Sequence, residues 1–289
     1  MTICIVVPCY NEQSRLPVDE FRRYAQQHAD DCFLFVNDGS TDGTQDVLET
    51  LCRQSDEGNI HCIALPANRG KGEAVRQGVL WAVRNNFTRT GYWDADLATP
   101  LSAIHEMDCV LDENLNIDFV HGSRINLTAR QMDRTPFRRF SSRCFILITT
   151  LLFHLQAKDT QCGAKIMRIG ERVTETFSRP FISRWMFDVE VFIRLSSNIL
   201  QDEMADADAS QVVMYEYPLK EWRDIQGSRL RLRDTFHAVW DLLRIRTKYG
   251  SAYSWRKTSY KPLILDKRRP DRRSNIKPKI AGSEPSDLF

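Results

Sequence analysis

No run of apolar residues in this chain is long enough to cross a bilayer. The longest uncharged stretch, CFILITTLLFHLQA at 144–157, falls short of the roughly 20 residues a spanning helix needs and reads as a core helix or an interfacial segment. A secretory signal is not evident either: MTICIVVPCYNE has too short an apolar run and no cleavage site. The eight cysteines form no CxxC pair, and several lie in apolar runs, where a free thiol packs as a small hydrophobe. The expectation is therefore a reduced, cytoplasmic compartment without disulfides, in which the Asn-x-Ser/Thr matches at Asn86 and Asn126 are incidental. NRGKGEA at 68–74 lacks the Walker pattern, and no Gly-x-Gly-x-x-Gly follows the first strand, so neither a P-loop nor a Rossmann fingerprint is present. Repeats at solenoid periods are absent as well.

What is present is alternation. ICIVVP, CFLFVND, IHCIAL, TGYWDAD and IDFVHGSR read as five strands, separated by segments with apolar residues at helical spacing. Strand–helix alternation predicts an α/β fold, a mostly parallel central sheet flanked by helices on both faces. Beyond residue 125 the alternation stops. A long helix is expected over 135–155, then a polar turn and short strand at DTQCGAKIMR, a helix at VEVFIRLSSN, a strand at VVMYEYPL and a helix at LRDTFHAVWDLLRIRTKY. Residues 1–250 read as one domain. Residues 251–289 read as a flexible basic tail: Arg256 to Lys279 holds ten Lys/Arg against two Asp, a local +8 within a chain of net charge +2. Such a tail suits an anionic membrane surface and is weak grounds for nucleic-acid reading, which is not expected.

Each predicted strand delivers polar residues at its carboxyl end, the edge where ligands sit on parallel sheets. PCYNE follows the first strand, NDGSTDGT the second, NRGKGEA the third, DAD the fourth and GSR the fifth. Tyr10 is placed to stack on a base, Glu12 and Asp38 to accept from a ribose or nucleobase, and Lys71 to hold an anion at a helix N-terminus. In a strand, Asp94 and Asp96 would project to one side, and paired carboxylates call for a positive partner such as a divalent cation. The alternative is that Asp96 belongs to a turn leading into a helix with Thr99 as N-cap and Pro100 at its first position.

In this order, the motifs resemble those of family 2 inverting glycosyltransferases of the GT-A (nucleotide-diphospho-sugar transferase) fold. DTQCGAK, RWMFDVEVF, EWRDIQGSRL and DLLRIR are similar to the dolichyl-phosphate β-glucosyltransferase branch, with the likeness running from about Ile3 to Arg246. Two features depart from that branch: the first strand begins at Ile3 where eukaryotic members carry an N-terminal membrane helix, and Ala164 stands where an aromatic is usual. The resemblance implies transfer of glucose from UDP-glucose to a polyprenyl (dolichyl or undecaprenyl) phosphate, by an enzyme peripheral on the cytoplasmic face of a membrane. The alternative is a family 2 enzyme using a hydroxyl acceptor. It further implies Mg2+ or Mn2+ on Asp94 and Asp96, and a nucleotide held by Pro8, Tyr10, Glu12, Asp38, Lys71 and Asp94. Asp96, Arg124 and Asp188 would serve catalysis, Asp188 by positioning or sugar binding. Arg138, Arg139, Arg143 and Arg184 would hold phosphate or acceptor, and Gln161, Cys162 and Gly163 would line the donor sugar.

Overall fold

The structure is a computed structural model that describes residues 3–55, 57–124, 148–153, 155, 157–196, 212–223 and 232–250. The strands are β1 (Ile3–Cys9), β2 (Cys32–Asn37), β3 (Ile60–Ala64), β4 (Arg89–Tyr92), β5 (Phe119–Ser123), β6 (Lys165–Arg168) and β7 (Met214–Pro218). The helices are α1 (Val18–Gln27), α2 (Thr44–Arg53), α3 (Lys71–Arg84), α4 (Ser102–Glu113), α5 (Glu171–Ser178), α6 (Phe187–Ser196) and α7 (Leu232–Tyr249).

The strands form a seven-stranded sheet in the order β3-β2-β1-β4-β6-β5-β7. Neighbours β3-β2, β2-β1, β1-β4 and β5-β7 run parallel, while β6 is antiparallel to both β4 and β5. The central strands β1 and β2 are almost wholly apolar because both faces of the sheet are covered. Ile3, Ile5 and Val7 point to one face with Phe33 and Phe35, where Phe21, Leu48 and Met107 of α1, α2 and α4 pack. Cys4, Val6, Leu34 and Val36 point to the other, against Val75 and Val79 of α3, Phe187 and Phe192 of α6 and Leu242 of α7. Phe21 meets Phe33 and Phe35 edge-on, with centroids 5.3 and 5.0 Å away, the geometry favoured by ring quadrupoles.

Two expectations are corrected, and the strand order adds a finding. The fourth strand stops at Tyr92, and Asp94–Leu97 form a turn closed by the Leu97 N–H on the Asp94 carbonyl at 3.2 Å, with Leu97 at φ +52°. The two aspartates therefore share a turn rather than a strand face. The following helix begins at Ser102 with Leu101 at its N-cap, and the Thr99 carbonyl instead accepts the Trp93 indole N–H at 2.8 Å; this places Trp93 in the core under the turn. The fourth and fifth strands are not neighbours, because β6 inserts between them. Helix α5 was not anticipated, and of the helix expected over 135–155 only 148–153, which are helical, and 155 are described.

Candidate active site

The loops after β1 and β2 are bound to each other. Asn11, at φ +53°, accepts the Thr41 N–H on Oδ1 at 2.8 Å and donates its own N–H to Ser40 Oγ at 3.0 Å. The Glu12 N–H donates to Thr44 Oγ1 at 2.7 Å, and the Glu12 carboxylate pairs with Arg15 at 2.5 Å. Asp42 accepts the Thr44 N–H at 3.0 Å, satisfying a donor at the start of α2. Tyr10 and Pro8 stand half-buried at the carboxyl end of β1.

Asp38, at the end of β2, is buried and accepts the N–H groups of Arg69 and Gly70, each at 2.7 Å. Burial raises its carboxyl above the usual range despite these two bonds. From the other side Arg184 donates to the carbonyls of Asn68 and Arg69 at 3.1 Å each, while its own carbonyl accepts the Gly72 N–H at 3.1 Å. The turn that presents Lys71 is thus gripped from both sides. Gly70 sits at φ +97°, and a Cβ there would meet Arg184. The structure thus places Arg184 on this turn.

Lys71, the first residue of α3, pairs with Asp94 Oδ1 at 2.5 Å. Burial pushes the Asp94 carboxyl up, but Lys71, Lys165 and Arg124 together hold it below the usual range. Asp96 moves the opposite way: burial and the charge of Asp94 raise it, although it accepts the Ala98 N–H at 3.0 Å. The site's own cations therefore satisfy one aspartate and leave the other strained by its neighbour. A divalent cation fits this pair. Among the described residues no cluster of three or more His, Cys, Asp or Glu side chains forms a metal cage. A metal held here would take the two carboxylates and complete its shell with water or substrate oxygens, as Mg2+ commonly does.

The turn before β6 leans on this pair. Gly163 lies so close to Asp94 that an added Cβ would overlap its carboxylate. Cys162 is buried, and burial pushes its thiol up to about 11, which makes a poor nucleophile. The Gln161 amide nitrogen is buried without a hydrogen-bond partner among the described residues. Beneath the turn lies Lys165, fully buried, its Nζ donating to the Cys162 carbonyl and to Asp188 Oδ1 at 2.6 Å each. Asp188, in the first turn of α6, also accepts the Tyr92 hydroxyl at 2.7 Å. Burial and Lys165 hold the nearby His121 down to about 3, so it stays neutral.

Arg124, just past β5, is bidentate to Asp159 at 2.7 Å on both oxygens, with its guanidinium 5.6 Å from the Trp222 ring centroid. The Asp159 N–H is held by Glu216 of β7 at 3.1 Å. Burial raises the Asp159 carboxyl, but Arg124 outweighs it and holds the group below the usual range.

Lys71, Asp94, Asp96 and Arg124 thus gather at one sheet edge, as the motif positions predicted, and the structure brings Gly163 and Asp188 to the same edge. Arg138, Arg139 and Arg143 lie outside the described residues. Sequence reasoning passed over Asp159, Lys165 and Tyr92. The first two bracket the polar turn DTQCGAK, and a lysine opening an apolar strand was the available signal.

The model of the glycosyl transferase family 2 matches residues 4–168, more than half of the chain. The dolichyl-phosphate beta-glucosyltransferase of Mus musculus is 31% identical over 88% of this chain and 77% of its own length. That of Saccharomyces cerevisiae is 27% identical over 86% and 75%. Among solved structures, glucosyl-3-phosphoglycerate synthase from Mycobacterium tuberculosis, in complex with Mn2+, UDP and glucosyl-3-phosphoglycerate, is similar at a TM-score of 0.56 and 16% identity. The match covers 85% of this chain and 80% of that one. The same enzyme with Mg2+ and UDP gives a TM-score of 0.54 at 15% identity, over 85% and 79%. These two likenesses are ones of fold. The chain belongs to glycosyl transferase family 2.

Proposed function

We propose that this protein transfers glucose from UDP-glucose to a polyprenyl phosphate, with inversion at the sugar C1, working peripherally at the cytoplasmic face of a membrane. The observation that carries the reading is the Asp94–Asp96 turn, with Lys71 on one side and Gly163 pressed against it, in a chain 31% identical to a dolichyl-phosphate beta-glucosyltransferase. Asp94 and Asp96 hold Mg2+ or Mn2+, which when bound neutralises the donor diphosphate and stabilises it as a leaving group.

The residues divide the remaining tasks. Tyr10, Glu12 and Asp38 line the nucleoside end, with Asp38 acting chiefly by shaping the 68–70 turn. Lys71 adds positive charge beside the diphosphate. Gln161 offers a buried amide donor to the sugar. Arg124, held rigid by Asp159, supplies a fixed cation near the transfer point, where preorganised charge costs no reorganisation. The acceptor phosphate attacks C1 as the bond from C1 to the diphosphate breaks, releasing UDP and a glucosyl phospholipid. A phosphate monoester has its second pKa near 6, so no side chain has to remove a proton. Asp188 agrees with this, since its Oδ1 already accepts from a buried ammonium and a phenol.

Purified protein incubated with labelled UDP-glucose, Mn2+ or Mg2+ and a polyprenyl phosphate is expected to give label in the lipid phase and free UDP. Label in a hydroxyl acceptor instead of the lipid would replace this reading with the hydroxyl-using one. Release of pyrophosphate would point to a nucleotidyltransferase.

A further inference from the structure

A lysine ammonium at 0% exposure in the sheet is expensive, and the pair it forms with Asp188 could be replaced by apolar side chains with little loss of stability. The surroundings are already apolar: Lys165 Nζ lies 5.0 Å from the Tyr92 ring centroid and 5.9 Å from that of Phe192. Core packing therefore gives no reason for a charge here. What the ammonium adds is direction. It joins three segments that meet at Asp94: the Cys162 carbonyl of the turn before β6, Asp188 in the first turn of α6, and, through Asp188, the hydroxyl of Tyr92 at the end of β4. The turn so fixed is the one whose Gly163 packs against the Asp94 carboxylate.

We infer that Lys165 is a positioning residue of the donor site: by bonding the Cys162 carbonyl and Asp188 it sets the Gln161–Gly163 turn against Asp94. The inference rests on the donor reading above. Lys165 reaches no substrate itself. It acts on where the sugar-lining turn stands, and Asp188 serves as its counter-ion and second anchor. Asp188→Asn leaves the bond from Lys165 to the Cys162 carbonyl available, whereas Lys165→Met removes it.

The test uses the full chain and the variants Lys165→Met, Asp188→Asn and their double. Folding is followed by thermal unfolding, UDP and UDP-glucose affinity with Mn2+ by calorimetry, and kcat and KM by transfer to a polyprenyl phosphate below every unfolding transition. UDP, which lacks the sugar, is expected to bind all variants as it binds the wild type. Lys165→Met is expected to lower kcat/KM for UDP-glucose about a hundredfold, the size of loss an ångström of misplacement produces. Asp188→Asn is expected to keep partial activity, and the double to match Lys165→Met, as residues acting as a unit do. If Lys165→Met fails to fold because Asp188 is left unpaired, the double lacks that buried charge and is read against Asp188→Asn: a double far below it supports the inference. A double equal to Asp188→Asn overturns it. So does a folded Lys165→Met with wild-type kcat/KM, or a loss of UDP affinity as large as the loss of kcat/KM. A wild type that binds neither UDP nor UDP-glucose overturns the donor reading and this inference with it.

Discussion

Asp94 and Asp96 illustrate how one turn assigns different chemistry to two identical side chains. Lys71 keeps Asp94 ionised, while the charge of Asp94 makes ionising Asp96 harder. As pH falls, Asp96 takes up its proton first, so Mn2+ affinity is expected to weaken while Asp94 is still charged; calorimetric titration across pH checks this. Asp94→Ala and Asp96→Ala are expected to abolish metal-dependent transfer with the fold intact, since neither side chain carries core packing, although Asp94→Ala lowers stability by removing the carboxylate paired with Lys71. Gly163→Ala is expected to abolish transfer as well, with some loss of stability, because its Cβ would displace the Asp94 carboxylate. Full activity of any of these three would remove the metal role. Asp159 answers to stability instead. Arg124 holds its carboxyl below the unfolded value, so the stabilisation is complete above that value and is lost as pH falls through the lower folded one. Asp159→Ala is expected to cost about 1–3 kcal/mol at neutral pH, because it removes the bidentate carboxylate partner of the half-buried Arg124. Urea unfolding at pH 7 and at low pH should show that difference shrinking in acid.

Between elements, close approach decides more than propensity. Gly78 lies in the middle of α3, where glycine costs about 1 kcal/mol relative to alanine in a helix. It faces Val6 of β1, and an added Cβ would collide with the Val6 side chain. Val6 is fully buried in a strand paired on both sides by β2 and β4, so it cannot yield. Overpacking of this kind costs about 1–3 kcal/mol, which outweighs the gain in helix propensity. Gly78→Ala is accordingly expected to destabilise the protein, and a raised melting temperature would show that α3 can move off the sheet. Helix α7 is anchored in another way: the Tyr249 hydroxyl donates to Glu190 and accepts from Arg194, both buried on α6. The helix that carries Asp188 is thereby tied to the last described helix of the chain.

For the molecule as a whole, the question is how it reaches a lipid. Among the described residues no helix is long and apolar enough to cross a membrane. The proposed acceptor nevertheless carries its phosphate at headgroup level, so the sheet edge that holds Asp94 must come near a bilayer surface. Residues 144–147 of the apolar stretch and the tail at 251–289 lie outside the described residues, but their composition stands in the sequence. Each Lys or Arg near an anionic leaflet contributes about 1 kcal/mol, and the proposed peripheral binding draws on the local +8 between Arg256 and Lys279. Cosedimentation with phosphatidylserine vesicles is expected to weaken with salt and to drop on truncation after Tyr253. No binding at low salt would mean that the protein depends on a membrane-embedded partner.

Much of the site was legible before the fold. Strand and helix periodicity is local, so the alternation over the first 125 residues, and with it the edge where Tyr10, Asp38, Lys71, Asp94 and Arg124 collect, followed from side-chain pattern alone; helix 232–249 was readable residue for residue. Turn chemistry at NDGSTDGT was equally local, whereas DAD, which reads as a strand end, is a turn in the structure. What the sequence by itself could not determine was which distant groups meet. Arg124 pairs with Asp159 across 35 positions, Lys71 with Asp94 across 23, and Lys165 with Asp188 across 23. None of these pairings has a periodic signature, because a salt bridge needs only that two chain segments pass within reach. The antiparallel insertion of β6 between β4 and β5 belongs to the same class. It was settled by tertiary packing, which buried both faces of that strand and so brought the ammonium of Lys165 beneath the turn that presents Gly163 to Asp94.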